Sequence, residues 1–441
     1  MDHDATDPKA IGVTSVGPPR ARRQFALVCA TDFVVWLGGG AIYPYLPVFL
    51  REDANASLGM IGVIASAYFV AVFAFSLPAG RLSDIVGRKP MIVAGTLLYA
   101  VSTLLFLTTT DPWLFVLFRA LEGVGAAAVV PAAQAFVAEI STNENRSRAY
   151  GWLTTAQYGG LIIGPAVAWP LYALGGGHGA RAFYAIFLFG TVITLATALA
   201  LAVYLREPDR ASREQSGGLP RPPIRSLLTR PIAAIILVVA TAQFAMGGFE
   251  VVWSIYLRDL DASVTVIGLT WVLFSAPLLL SFVGGHVADR HSRFALMFTG
   301  FGIQGICWLL VPVFHNPTVF LFLLPIDGLA FAFAFPAKQA FLVQLSPERW
   351  LGSIQGMEQT AMQLAALIGT ATAPLLYGWL GAGFFALAGV VALAGLVGAA
   401  PTLRREWQSI RAAGLHQSST AAANPAARAT AEQSGEGDLG R

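Results

Sequence analysis

Asp32, Arg119, Glu122, Glu250, Asp327 and Lys338 are charged side chains that lie inside stretches that are otherwise apolar. Charge in such a setting is costly, and it persists where it is paired or faces a polar cavity. Arg119 and Glu122 are three residues apart, which puts them on one face of a helix. They can simply neutralise each other, or work together at a cavity. A carboxylate shielded from water can take up and release a proton near neutral pH, which is what coupling to a proton gradient requires. Asp32, Glu122, Glu250 and Asp327, together with Arg119, are therefore the candidate proton-coupling set. Asp327 and Lys338 are eleven residues apart, about three helical turns, so they share a face without direct contact.

Aromatic and amide residues accompany these acids: Trp36, Tyr43, Gln134, Tyr158, Gln243, Phe244, Trp253 and Gln339. Stacking and cation–π contact would let such a set form a cavity for lipophilic or cationic small molecules. Each of them also has an ordinary reading as helix packing or an interfacial anchor. The chain has no G-x-x-x-x-G-K-[ST] phosphate loop, no His/Cys spacing suited to a metal and no Ser-His-Asp or G-x-S-x-G context. Cys29 and Cys307 are far apart in apolar segments and read as small core residues rather than a disulfide. The expectation is a protein that is not an enzyme and uses no cofactor, metal or nucleic acid. Its partners would be a small-molecule substrate, protons and the lipid bilayer, and it would act as a monomer.

These side chains need a scaffold, and composition points to its class. The chain has 441 residues, 56% of them apolar and 12% charged, which leaves too little polar surface for a water-soluble fold of that size. A helix needs about 20 mainly apolar residues to cross the hydrocarbon. Twelve such stretches are expected, near 24–49, 58–80, 90–109, 113–139, 150–174, 181–204, 231–257, 265–285, 294–314, 317–345, 353–379 and 382–403. The first has no cleavage pattern and reads as an uncleaved span. With the N-terminus in the cytoplasm, 23 Arg/Lys residues fall on the inner side and only Arg51, Arg181 and Arg258 outside. The positive-inside rule thus places both termini in the cytoplasm. The low lysine usage suggests a bacterial source, hence a multi-pass protein of the inner (plasma) membrane.

The resulting organisation is a cytoplasmic N-terminal tail (1–23), a six-helix unit (24–204), a polar, basic linker (205–230), a second six-helix unit (231–403) and a tail (404–441). The linker reads as cytoplasmic, and the tail has too few large apolar residues to fold alone and is expected to be disordered. The two units are copies. At a shift of 205 residues, Gly80, Asp84 and Arg88 fall on Gly285, Asp289 and Arg293; Glu122-Gly123 on Asp327-Gly328; Pro131 and Gln134-Ala135-Phe136 on Pro336 and Gln339-Ala340-Phe341; and Gly151 and Gly164 on Gly356 and Gly369. Chance can align Ala and Leu in apolar helices, but not Gly, Pro, Gln and acidic positions together.

The most specific motif is the loop G-R-L-S-D-I-V-G-R-K-P, Gly80 to Pro90, which returns as G-H-V-A-D-R-H-S-R, Gly285 to Arg293. Gly80 would allow close backbone approach, Gly87 a turn conformation denied to other residues, and Pro90 a helix start. Asp84 could face the positive end of a neighbouring helix, and Arg88 could pair with Glu139. Together, Gly80, Asp84, Gly87, Arg88 and Glu139, with Gly285, Asp289 and Arg293 in the repeat, form a candidate conformational latch on the inner face. Gln344 stands where Glu139 would recur, so the first copy is expected to be the stronger.

Both loops resemble the cytoplasmic signature of the major facilitator superfamily, and the resemblance covers nearly all of residues 24–403. It implies an all-α integral membrane fold of twelve helices in two six-helix bundles related by a pseudo-two-fold repeat, with a central cavity exposed alternately to each side. It also implies that the first, fourth, seventh and tenth helices, which hold Asp32, Glu122, Glu250 and Asp327, line that cavity. The segment around Arg119 is similar to the fourth-helix signature, whose arginine is implicated in proton transfer. Gly160-Leu-Ile-Ile-Gly164-Pro165 resembles the motif of the drug–proton antiporter branch, suited to a seal between halves, although Ala168-Trp169 replaces the Gly-Gly that continues that pattern. Acids in the seventh and tenth helices, Glu250 and Asp327, are similar to the coupling pair of some quinolone-type exporters. The combined expectation is proton-coupled efflux of small lipophilic or amphiphilic compounds. The alternatives are a sugar or metabolite exporter or symporter, and a non-transporting sensor or lipid-handling protein.

Overall fold

The structure, a computed structural model, describes residues 19–141, 146–177, 179–207, 224–347 and 350–423. Most of the N-terminal tail (1–18), most of the linker (208–223) and the end of the chain (424–441) lie outside them, as does the side chain of Asp289. Fifteen α-helices follow in order: α1 Pro19–Ile42, α2 Leu46–Glu52, α3 Leu58–Val86, α4 Arg88–Leu105, α5 Pro112–Ile140, α6 Arg146–Leu174, α7 Gly179–Tyr204, α8 Ile224–Leu227, α9 Arg230–Asp259, α10 Val264–Ser275, α11 Ser281–Arg290, α12 Arg293–Leu310, α13 Pro317–Leu345, α14 Leu351–Leu380 and α15 Gly383–Ala423. Among the described residues, nine helices are long and apolar enough to cross a membrane, with α1 and α2 together forming the first. The remaining three expected spans coincide with α4, with α6 and with the α10–α11 pair joined by the tight turn Ala276–Leu280. The protein is a multi-pass membrane protein.

Helix starts follow local chemistry. Asp111 accepts from Trp113 N at 2.9 Å ahead of Pro112, and Asn316, its equivalent in the repeat, accepts from Thr318 N at 2.9 Å ahead of Pro317. Each cap satisfies an otherwise orphaned N–H while proline fixes the first turn. The capping thus repeats at the shift read from the sequence.

The halves pack alike. In the first, α1 lies on α6, α5 on α3 and α4, and α7 on α4 and α1; in the second, α9 lies on α14, α13 on α10, α11 and α12, and α15 on α12 and α9. Glycines make the close contacts possible. A Cβ on Gly95 would stand 2.7 Å from the Gly125 carbonyl oxygen, and one on Gly300 the same 2.7 Å from that of Ala330, the residue equivalent to Gly125. Small residues at such crossings are the usual device in lipid, where hydrophobicity does not drive helices together.

One large apolar core spans both halves on the side away from the repeated loops, joining Tyr45, Phe49 and Phe115 to Trp253, Tyr256 and Phe385. On the loop side the core splits into two clusters, one per half, around Phe136 and around Phe341. The molecule is therefore closed at the face opposite the loops and parted at the loop face. The expected tail boundary at 404 falls inside α15. Its continuation is held by Trp407 and Ile410, which pack on the second half's core, with Trp407 edge-on to Phe341 at 6.0 Å. Leu403, Trp407 and Ile410 form a helical stripe that the overall composition of the tail hides.

Candidate functional site

A cavity of about 330 Å³ lies between the halves, lined from α1, α3, α4, α5, α6, α9, α10, α13 and α14. Three of the candidate charges reach it: Asp32, Arg119 and Glu250. So do Trp36, Tyr43, Tyr158 and Gln243. Tyr68, Tyr99, Trp271 and Phe274, with Gln363, also line it, and no motif or spacing singles them out. They add an aromatic wall on both sides of the seam.

Each charge has a defined partner. Glu250 accepts a hydrogen bond from the Tyr43 hydroxyl, which belongs to the other half. Asp32 is buried and accepts from Gln157 Nε2 of α6 at 2.7 Å. Arg119 Nη1 lies 2.6 Å from Glu122 Oε2, and its guanidinium stands 4.7 Å from the centre of the Tyr68 ring. Glu122 also accepts from Thr103 at 2.8 Å. A buried pair of this kind is stable only when its remaining polar atoms are satisfied, and Thr103 does part of that.

Asp327 does not line the cavity. It is buried and accepts from Trp308 Nε1 of α12 at 2.9 Å. The cause is the neighbouring glycine: a Cβ on Gly328 would lie 2.0 Å from the Phe274 carbonyl oxygen, so Gly328 must face α10. One residue is about 100° of rotation, which turns Asp327 away toward α12. Glu122 obeys the same rule, with Gly123 pressed on the Tyr68 carbonyl and Glu122 turned to Thr103 of α4. Thr103 and Trp308 are themselves equivalent in the repeat, so the duplication extends to these hydrogen bonds. Lys338 is 1% exposed and pairs with Glu358 of α14, an acid the sequence reading did not single out. Gln339 accepts from Lys338 Nζ at 3.1 Å and, like Gln134, Phe244 and Trp253, lies off the cavity. Trp253 is fully buried and donates to Thr270, while the Phe244 carbonyl packs on Gly369.

At the loop face, Arg88 reaches Glu139 at 2.9 Å, Asp84 at 2.6 Å and Ser83 Oγ at 2.9 Å. In the repeat, Arg293 Nη1 donates to Gln344 at 3.0 Å. At this loop Glu207 meets a helix N-terminus, accepting from Arg88 N at 2.7 Å and Lys89 N at 2.8 Å. Gly87 supplies the required backbone with φ of 123°, a left-handed conformation that glycine adopts without strain. The close approach expected at Gly80 is not formed among the described residues: the nearest atom to a Cβ there is 4.0 Å away, and for its repeat equivalent Gly285 no described atom lies within 4 Å. The parted loop face leaves these glycines uncovered.

The two glycines of the G-x-x-x-G-P motif pack inside the first half, while the Pro165 carbonyl oxygen lies 3.7 Å from where a Cβ on Gly268 of the second half would stand. A Cβ on Gly160 would lie 2.2 Å from the Phe33 carbonyl oxygen, and one on Gly164 2.4 Å from the Gly40 carbonyl carbon, so the motif seats α6 on α1. Trp169, further along α6, also reaches the second half, its Nε1 donating to Thr265 at 2.7 Å. Closure of the far face is completed by ion pairs that cross reciprocally. Arg51 meets Asp259 at 2.9 Å, Glu52 meets Arg258 at 2.6 Å, and Tyr377 donates to Asp259 at 2.6 Å. A signal existed for this cluster, since adjacent opposite charges end both the first and the seventh span.

The sequence profile described as Major Facilitator Superfamily matches residues 28–254 and 235–415. The chain belongs to this superfamily. It is 28% identical over 396 residues to Multidrug resistance protein 2 of Bacillus subtilis (strain 168), an alignment covering 83% of this chain and 93% of that protein. It is 22% identical to the Quinolone resistance protein NorA of Staphylococcus aureus, covering 54% of this chain and 59% of NorA. Among solved structures, a bacterial homolog of the human lysosomal transporter Spinster shares the fold with a TM-score of 0.67 at 15% identity, covering 89% of this chain and 94% of that one. The human organic anion transporter MFSD10 (TETRAN) does so with a TM-score of 0.61 at 18% identity, covering 86% and 99%. As a superfamily member, the chain is of a transporter family rather than an enzyme family.

Proposed function

We propose that this chain is a proton-coupled exporter of small lipophilic or amphiphilic compounds, working by alternating access in the plasma membrane with both termini cytoplasmic. The observation that carries the reading is the position of Glu250: a carboxylate in the central cavity, among aromatic side chains, engaged by a residue of the opposite half. The relatives named for multidrug and quinolone resistance support it.

In this reading a cationic or amphiphilic substrate enters from the loop face, stacks on the aromatic wall and is neutralised by Glu250. Exposure to the outer side lets a proton replace it, and the proton is then released inward. Asp32, the second cavity acid, is the companion site; Asp327 holds α12 to α13. Arg119, already neutralised by Glu122, keeps positive potential near the cavity without adding a free charge. Purified protein in lipid vesicles tests the reading: an imposed pH gradient should drive accumulation of fluorescent cationic dyes. Movement of sugars alone, or of no probe at all, would transfer the assignment to a metabolite transporter or a non-transporting protein.

A further inference from the structure

The first span is broken where it crosses from the cavity to the closed face. Helix α1 stops at Ile42, Tyr43-Pro44-Tyr45 form a turn, and α2 resumes at Leu46. Pro44 lacks an N–H and cannot continue the α1 ladder, so α2 is a separate rigid piece. Every residue type needed to hold that piece against the second half is present. Tyr43 donates to Glu250 and meets Trp271 edge-on at 6.1 Å. Tyr45 fills the space left by Gly268, where a Cβ would come within 2.1 Å of its hydroxyl. Arg51 and Glu52, at the far end of α2, pair with Asp259 and Arg258.

Tyr43 is the inner anchor of this strut, and its acceptor is the carboxylate assigned above to the substrate. The charged and titratable groups facing Glu250 are Tyr43 from the turn between α1 and α2, Tyr68 from α3, Arg119 from α5 and Tyr158 from α6. Arg119 is held by Glu122, which leaves the Tyr43 hydroxyl as the hydrogen-bond donor seen on Glu250 among the described residues. A bond to an ionised acceptor is about twice as strong as a neutral one. A cation or a proton at Glu250 removes the charge that makes it strong.

We propose that Tyr43 is a positioning residue that couples the contents of the cavity to closure of the opposite face, by anchoring the α2 strut to Glu250 until substrate or a proton claims that carboxylate. The proposal rests on the alternating-access reading, but its test does not depend on transport. A single reporter, Leu58→Cys, is placed in a background with Cys29 and Cys307 replaced by Ala. Leu58 begins α3 at the closed seam, 3.4 Å from where a Cβ on Gly378 of α14 would stand. Labelling by a membrane-impermeant maleimide from the outer side, with no substrate added, reads how often that seam opens. Tyr43→Phe removes one oxygen and keeps the ring on Trp271, so labelling should accelerate about tenfold, the factor for losing one hydrogen bond to a charged group. Glu250→Ala should give the same acceleration and the double variant no more than either alone; Glu250→Ala also carries the prediction if Tyr43→Phe does not fold. Labelling of Tyr43→Phe at the parent rate, or multiplied effects in the double variant, would overturn the coupling. Accelerated, non-multiplying labelling in a protein that moves no probe under a pH gradient would leave the coupling standing and remove the exporter reading instead.

Discussion

Arg88 grips Glu139 through both Nε and Nη2 at 2.9 Å, whereas its counterpart Arg293 donates to the neutral Gln344 at 3.0 Å. The first contact is largely buried, with side-chain exposures of 10% and 11%; the second is exposed. Removing one partner of a buried ion pair costs about 3 kcal/mol when the charge is left uncompensated; Arg88 keeps Asp84 at 2.6 Å, so the loss is smaller than that but still that of a mostly buried contact. Loss of an exposed bond costs about 1 kcal/mol or less. Glu139→Ala should therefore lower the thermal unfolding midpoint in detergent clearly, and Gln344→Ala barely. Equal shifts would show that the two loops bear equal load.

The Arg119–Glu122 pair separates stability from transport. Glu122→Ala strands Arg119 without its partner and should destabilise by about 3–5 kcal/mol. Replacing both residues with Met should recover most of that loss, because a buried pair and a well-packed apolar pair of similar volume are often nearly equivalent. Unfolding midpoints check this part. Transport should stay abolished in the double variant, since Arg119 lines the cavity; recovery of flux would make the pair purely structural.

The two remaining buried groups of the second half give the opposite pattern. Lys338–Glu358 and Asp327–Trp308 lie off the cavity. The double change Lys338→Met with Glu358→Met, and separately Asp327→Asn, should both leave flux close to that of the parent protein. Asp32→Asn should lower it. Flux measured in vesicles decides, and loss with Asp327→Asn alone would return that residue to the coupling path.

How much of this was readable depended on what each signal had to specify. The duplication, the Arg88–Glu139 contact and the Arg119–Glu122 contact all follow from spacing, either along one helix or between two copies of one loop. Asp327 and Lys338 needed something spacing does not carry: the rotation of α13 about its own axis. In water an apolar stripe would reveal it, but in lipid the outer surface is as apolar as the core, so the inward face leaves little trace. Gly328 was the available clue, because only a residue without a Cβ tolerates the Phe274 carbonyl. Glu358 was missed for the same reason, its partner being chosen by how α13 and α14 are turned toward each other. The motif around Gly160 and Gly164 was legible as close packing, but which helix it packs on was not.

That last packing makes its own prediction. Gly164→Ala would place a methyl group 2.4 Å from the Gly40 carbonyl carbon, where backbone rather than a flexible side chain must give way. Overpacking of this kind costs about 1–3 kcal/mol. Gly285→Ala, with no described atom within 4 Å, should leave the unfolding midpoint unchanged. A larger effect at Gly285 than at Gly164 would mean that the packing of α6 on α1 is not what the glycine serves.

Whether Glu250 carries the proton exchanged for substrate is decided by Glu250→Gln in lipid vesicles. The variant keeps the shape and an acceptor for Tyr43 but cannot be ionised. With a lipophilic cationic dye and an imposed pH gradient, gradient-driven accumulation should disappear while the protein remains folded. Accumulation at the parent rate with the same dependence on the gradient would contradict that role.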